Sequence, residues 1–376
     1  MIAMMVAMYI FEAQPMPIKP FTHDLPDATS HDCFCVSRDG KKLAMNSWAI
    51  WDISSGKRLL GYEGKTRGAH AMDFSPDGHL LAVGGNYGEL FLFDARAGHV
   101  VWDLTLKHGD DILNQVEFTP DGRYLVSASD NAMLRVWDVQ NKQAQALFCF
   151  NSKKDNGNAG WEDYLRAWRA LAGDKPPDGV KTFVVLKKPI WSISDFSISP
   201  DGRTVALATG TSEVLVLELL TGKMLKTLRT GQVTTLSVKF SGDGKLVAVG
   251  GGDFTAPDND KPGLCKCSIE IWDVATEKRL VSCLDHLGCL AFSPDNKTLV
   301  SGGVTGAHVW DVATGRQRFA LGQQKGRGIK GVAYLPDGKT ILTLPSEGNE
   351  PIQFWDAATG KLVSPVKGPS SSSPAK

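Results

Sequence analysis

Short apolar runs recur along this chain, and turn residues break them at close intervals. Val-Ala-Val at 247–249, Phe-Leu-Phe at 91–93 and Val-Leu-Val-Leu at 214–217 are β-branched or aromatic stretches, too short for helices and suited to strands. Their near-continuous apolar character fits strands covered on both faces. One turn recurs between such runs: Arg38-Asp39-Gly40, Pro76-Asp77-Gly78, Pro120-Asp121-Gly122, Pro200-Asp201-Gly202, Gly242-Asp243-Gly244, Pro294-Asp295-Asn296 and Pro336-Asp337-Gly338. Asp-Gly suits a tight hairpin because glycine accepts positive φ.

An apolar-acidic pair closes each unit: Trp51-Asp52, Phe93-Asp94, Trp137-Asp138, Leu217-Glu218, Trp272-Asp273, Trp310-Asp311 and Trp355-Asp356. Successive terminal acids stand 42, 44, 80, 55, 38 and 45 residues apart. Four of these spacings match a four-stranded unit of about 40–45 residues. The 80 and the 55 predict insertions, at 151–189 and 251–267.

These pairs and turns resemble the WD-repeat (WD40) family, with repeats of bacterial style, over roughly residues 25–365. The resemblance implies an all-β fold, a seven-bladed β-propeller with four antiparallel strands, a to d, in each blade. It also implies that strands from both chain ends complete one blade; 18–25 or 361–366 is the expected closing strand. The family's His–Ser–Trp–Asp network is only partly kept. Unit three comes nearest, with Ser127 and Trp137, but Asn131 stands for the acid and His108 is one place off. Blade packing is therefore expected to carry more of the stability. The expected organisation is an extension over 1–17, the propeller over 18–366 and a disordered Ser/Pro tail over 367–376.

Strand parity in such a blade puts the a–b and c–d turns on one face, here called the turn face. The d–a and b–c connections lie on the other, the loop face. Both predicted insertions fall on the loop face, which marks it for recognition. The first is expected to hold a short helix, with Trp161, Tyr164, Leu165, Trp168 and Leu171 along one side and Arg166 and Arg169 beside them. That helix either docks a partner or packs on the propeller rim. Phe254 and Asp258 mark the second insertion. Its oxygen-rich stretch lacks the spacing of a calcium loop, and Cys265-x-Cys267 is too close for a usual zinc pair.

Charge removes several function classes. Lys plus Arg and Asp plus Glu are both 41, so no broad basic footprint for nucleic acid or anionic membrane exists. Seven cysteines, an odd number without a dense framework, point to reduced thiols and a cytoplasmic chain. The apolar start, 1–11, lacks the marks of a signal peptide but leaves a secreted or periplasmic setting open.

The resulting expectation is a monomeric, non-enzymatic scaffold without cofactor or metal, binding proteins or peptides through the loop face. The candidate contact residues are Trp161, Tyr164, Arg166, Trp168, Arg169, Phe254 and Asp258. Two alternatives stand beside it. One is a hydrolase or lactonase-like propeller with a channel metal, drawing on His31, His70, His108, His286, Asp32, Asp110, Asp111, Asp195 and Asp285. The other is a secreted or envelope-associated binding propeller.

Overall fold

The computed structural model describes residues 33–45, 49–61, 69–86, 88–104, 112–130, 132–152, 180–257, 265–284, 288–321, 328–346 and 352–363. They form seven mainly antiparallel sheets, each from one contiguous stretch of chain: 34–61, 69–103, 113–190, 195–229, 234–284, 289–321 and 329–356. These are blades 1 to 7 of a ring, a seven-bladed propeller. No helix occurs among the described residues.

Five blades have four strands in the order a-b-c-d. Blade 3 has a fifth, Thr182–Ile190, running parallel to its strand d, Gln143–Ser152. The last part of the predicted 151–189 insertion, from Thr182, is therefore sheet, and its Phe-Val-Val-Leu run lies in that outer strand. The predicted helix lies outside the described residues. The second insertion is mainly an elongated hairpin: strand b of blade 5 runs Leu246–Pro257, and strand c begins at Cys265. Cys267 in that strand is disulfide-bonded, which corrects the expectation of reduced thiols throughout. Its partner's side chain lies outside those described. Cys33, Cys35, Cys149, Cys283 and Cys289 are not in disulfides.

Blade 7 has three described strands. The chain beyond its turn begins a fourth, through a bridge between Trp355 and Leu362 and a bond from the Val363 amide to the Phe354 carbonyl. Of the two predicted closing strands, 361–366 starts in this place; 18–25 is outside the described residues.

Apolar clusters sit between neighbouring blades. Tyr124, Val126, Phe148 and Phe150 of blade 3 pack with Phe196, Leu207 and Leu217 of blade 4. Leu43, Met45 and Trp51 of blade 1 pack with Leu342, Leu344 and Phe354 of blade 7, which closes the ring. Three Trp indoles donate to strand b hydroxyls: Trp137 to Ser127 (3.0 Å), Trp310 to Ser301 (2.8 Å) and Trp355 to Thr343 (2.9 Å). In blade 5 the indole of Trp272 donates to buried Glu270 instead, at 3.1 Å. Glu270 also takes Arg279 at 2.8 Å and the Gly231 amide at 3.0 Å. Half of the family network thus persists in more units than the sequence suggested.

The Pro-Asp-Gly turn does two jobs. Locally, a Ser or Thr hydroxyl donates to the Asp in six blades, for example Ser199 to Asp201 at 2.5 Å and Ser293 to Asp295 at 2.6 Å. The same Asp accepts the amide of the residue two places on, which caps the turn. Between blades, the Pro of one turn packs on the Gly of the next. A Cβ on Gly122 would lie 3.2 Å from Pro76, one on Gly202 3.4 Å from Pro120, and one on Gly40 only 2.9 Å from Pro336. The last contact joins blade 7 to blade 1. Each of these glycines also holds φ near +70°.

Gly40→Ala is expected to lower unfolding stability by about 1–2 kcal/mol or more, from left-handed backbone alone, with the Pro336 clash added. Gly242→Ala, at a turn position without positive φ, should cost clearly less. Urea unfolding of the two variants checks this ordering.

Candidate functional site: the loop face and the channel

Eight large apolar side chains stand exposed among the described residues, and none lies on the turn face. Leu59, Leu225 and Leu280 sit on rim strands, and Leu362 follows the last blade. The other four sit on the loop face. Ile112, Trp191 and Val233 immediately precede or lead into strand a of the consecutive blades 3, 4 and 5; Val304 is in the b–c connection of blade 6. Trp191 and Val233 are each 51% exposed and Val304 64%, so these are uncovered surfaces rather than edges of the core.

Their backbones are held firmly. The Trp191 amide donates to the Thr209 carbonyl at 3.2 Å. Gly210, at φ +65°, lets the Trp191 Cβ come close: a Cβ on Gly210 would lie 3.1 Å from it. Val233 follows Gln232, which is buried and donates to the Ser268 carbonyl at 2.7 Å. Ile112 exchanges backbone contacts with Asp130, whose amide donates to the Ile112 carbonyl at 3.1 Å. A fixed backbone under an exposed Trp loses little entropy on binding.

Below this face the strand a edges line a channel holding a cavity of about 630 Å³. The inner edge of strand a has no sheet partner, so its outward amides need other acceptors. Side chains of the preceding blade supply them. Asp73 accepts from the Phe118 amide (2.7 Å), Glu117 from Ile198 (3.4 Å), Ser197 from Phe240 (3.1 Å) and Asp195 from Val238 (3.0 Å). Gln115 donates to the Phe196 carbonyl at 2.9 Å and Asn114 to that of Ile193 at 2.9 Å.

The carboxyls Asp73, Glu117 and Asp195 lie on blades 2 to 4, with Lys239 on blade 5. Lys239 pairs with Asp195 at 3.2 Å and also donates to the Phe196 carbonyl. Burial pushes the Glu117 carboxyl up to about 8, with the Asp73 and Asp195 charges adding to the rise and Lys239 opposing it. Burial likewise raises Asp73 to about 6, against the lowering effect of the Phe118 amide.

The catalytic alternative gains nothing from the described groups. His70 bonds to Asn86 at 2.8 Å, and Asp195 is engaged by Val238 and Lys239. No three His, Cys, Asp or Glu side chains among the described residues are grouped to hold a metal. His31, His108, His286, Asp32, Asp110, Asp111 and Asp285 lie outside those residues. So do Trp161, Tyr164, Arg166, Trp168, Arg169 and Asp258; Phe254 lies in strand b of blade 5, and its side chain is outside the description.

Sequence reading overlooked Trp191, Val233, Ile112 and Val304. A lone apolar residue ahead of a strand reads as part of the strand. The usable signal was a Trp directly before Ser192, at the boundary where strand a is due.

Comparison with known proteins settles the family. The family model described as "WD domain, G-beta repeat" matches residues 56–94, 101–138, 222–256 and 277–311. Each match starts near strand d of one blade and runs into the next, so the sequence repeat straddles two blades. The chain belongs to the WD-repeat family. Among its WD-repeat relatives, the small ribosomal subunit protein RACK1 of Caenorhabditis elegans is 29% identical over 25% of this chain and 28% of its own length. The meiotic recombination protein rec14 of Schizosaccharomyces pombe is 29% identical over 31% of this chain and 40% of its own. Human apoptotic protease-activating factor 1 is 25% identical over 73% of this chain and 22% of its own. The aligned part thus spans less than half the length of each relative.

Glu117 yields a pH test. Its folded value, about 8, lies above the ordinary 4.5, so the folded state binds the proton more tightly than the unfolded chain. The burial penalty is absent below about pH 4.5, grows as pH rises and is complete above about pH 8. Glu117→Gln is expected to leave stability at pH 5 little changed and to raise it at pH 9 by on the order of 1 kcal/mol or more. Urea midpoints at the two pH values decide it.

Proposed function

We propose that this WD-repeat propeller is a non-enzymatic scaffold that binds other proteins or peptides through its loop face. The observation that carries the reading is the exposed line of Ile112, Trp191 and Val233 on three adjacent blades, with Val304 nearby. Trp is prominent among interface hot spots, and apolar side chains held open on a rigid frame suit a preformed binding surface. The relatives support a scaffold in kind: one is named as a small ribosomal subunit protein and another as a protease-activating factor. The insertions over 151–189 and 251–267, with Trp161, Tyr164, Arg166, Trp168, Arg169, Phe254 and Asp258, belong to the same proposed face. A monomer acting in the cytoplasm, without cofactor, nucleic acid or membrane contact, fits the balanced charge. No helix of the described residues is long and apolar enough to cross a membrane.

The test compares purified wild-type protein with Trp191→Ala, Val233→Ser and the turn-face control Arg203→Ala as baits, with partners quantified by mass spectrometry. Trp191→Ala is expected to cost about 2 kcal/mol of binding, roughly a thirtyfold weaker complex, while Arg203→Ala leaves it unchanged. Equal capture by all baits overturns the assignment.

One observation favours the secreted or envelope-associated alternative: the disulfide at Cys267, a bond that persists in oxidising compartments. Thiol titration of denatured protein purified without reductant separates the two. Seven reactive thiols are the cytoplasmic result; five, the number of described cysteines outside a disulfide, is the oxidising one.

A further inference from the structure

Trp191 and Val233 frame one short connection on the loop face, the b–c turn of blade 4 over 209–212. On one side the Trp191 amide donates to the Thr209 carbonyl, and Trp191 lies against Gly210. On the other side the Gly210 amide donates to the Thr235 carbonyl at 3.2 Å, and the Thr235 amide to the Thr211 carbonyl at 2.9 Å. Thr230 donates from its hydroxyl to the Ser212 carbonyl at 3.0 Å, three residues before Val233. Two cations stand at the same turn. Lys188, three residues before Trp191, pairs with Glu213 at 2.7 Å, and Arg229 reaches the other carboxylate oxygen of Glu213 at 3.7 Å. Glu213 and Arg229 are cross-strand partners at the loop-face end of strands c and d. The Glu213 side chain is only 20% exposed, whereas that of Arg229 is 85% exposed. One largely covered carboxylate thus serves two cations, and a guanidinium is what faces outward. A further carboxylate of this face, Asp130, sits at the blade 3 end, where it accepts the Ile112 amide at 3.3 Å. Charge along the exposed apolar line is therefore uneven: positive beside Trp191, negative beside Ile112.

We propose that this patch takes an acidic peptide segment of the partner, with a bulky apolar residue on Trp191 and Val233 and an Asp or Glu on Arg229 and Lys188. The proposal rests on the loop-face reading and adds the partner's chemistry. A surplus of one positive charge among these described residues suits a single carboxylate; a doubly charged phosphate would also meet the Glu213 charge. An exposed ion pair contributes little by itself, so the apolar contact supplies most of the affinity. The cations then select which segment stays, because a like charge set beside Arg229 is penalised. Covering Trp191 also removes water beside Arg229, which strengthens the pair. Lys188 and Trp191 are three residues apart, at most about 11 Å of chain. The acid and the apolar residue of an extended segment therefore stand within about three positions of each other.

Selection of a random phage-displayed peptide library on the full chain tests this, followed by binding of the enriched peptide in synthetic form. Enriched sequences are expected to carry Asp or Glu within about three positions of Trp, Phe or Leu. Arg229→Glu, at an exposed position that folding does not need, should weaken the peptide about fivefold or more at low salt and much less at high salt. Replacing the peptide's acid by Lys should weaken binding to the wild-type chain and restore it to Arg229→Glu. Enriched peptides without an acid overturn the proposal, as do acidic peptides indifferent to Arg229→Glu or not restored by the charge exchange. If such peptides still lose binding with Trp191→Ala, the loop-face reading stands and the acidic partner alone falls. If they are indifferent to Trp191→Ala as well, both fall. A library that yields no enriched peptide overturns the acidic-segment proposal and leaves the loop face to the bait comparison.

Discussion

Everything in this structure depends on the fit of one blade against the next. A four-stranded sheet of about thirty residues buries nothing by itself; its two faces become core only when neighbours cover them. The ring supplies neighbours on both sides, but leaves each inner edge strand with unpaired amides. The sequence answers at two levels. On the turn face, Pro76, Pro120, Pro200, Pro294 and Pro336 each lie against a turn residue of the next blade. In the channel, Asp73, Glu117, Asp195 and Ser197 accept the amides of the next strand. The turn motif therefore looks local and is in large part an inter-blade device.

The two faces divide the labour. On the turn face, each Asp carboxylate is occupied by its own turn; the Ser199, Ser241 and Ser293 hydroxyls hold Asp201, Asp243 and Asp295 below their ordinary values. That leaves few free groups there for recognition. On the loop face the connections differ in length from blade to blade, and the exposed large apolar residues outside the rim are found there. Constraint on one side frees the other to vary, which is the arrangement a binding platform needs.

Blade number and blade boundaries were legible because Trp-Asp pairs and Asp-Gly turns encode local hairpins. Contacts between blades were not. Pro120 and Gly202 are a strand-rich insertion apart, and nothing local says they touch. The outer strand Thr182–Ile190 lies in the stretch that the 80-residue spacing marked only as an insertion, and it pairs with Gln143–Ser152, some forty residues earlier. Glu270 is a further case: nothing in its strand's sequence marks an acid that satisfies Trp272, Arg279 and Gly231 together. Trp191 was missed for want of any periodic partner. In each case the deciding contact is with a residue distant in sequence.

The central claim is that partners dock on the loop face around Trp191. Site-specific photo-crosslinking tests it most directly, with a photoreactive phenylalanine analogue placed at position 191 and, separately, at position 203. The account predicts covalent partner adducts from position 191 and none above background from position 203. Adducts from position 203 with position 191 silent would contradict it.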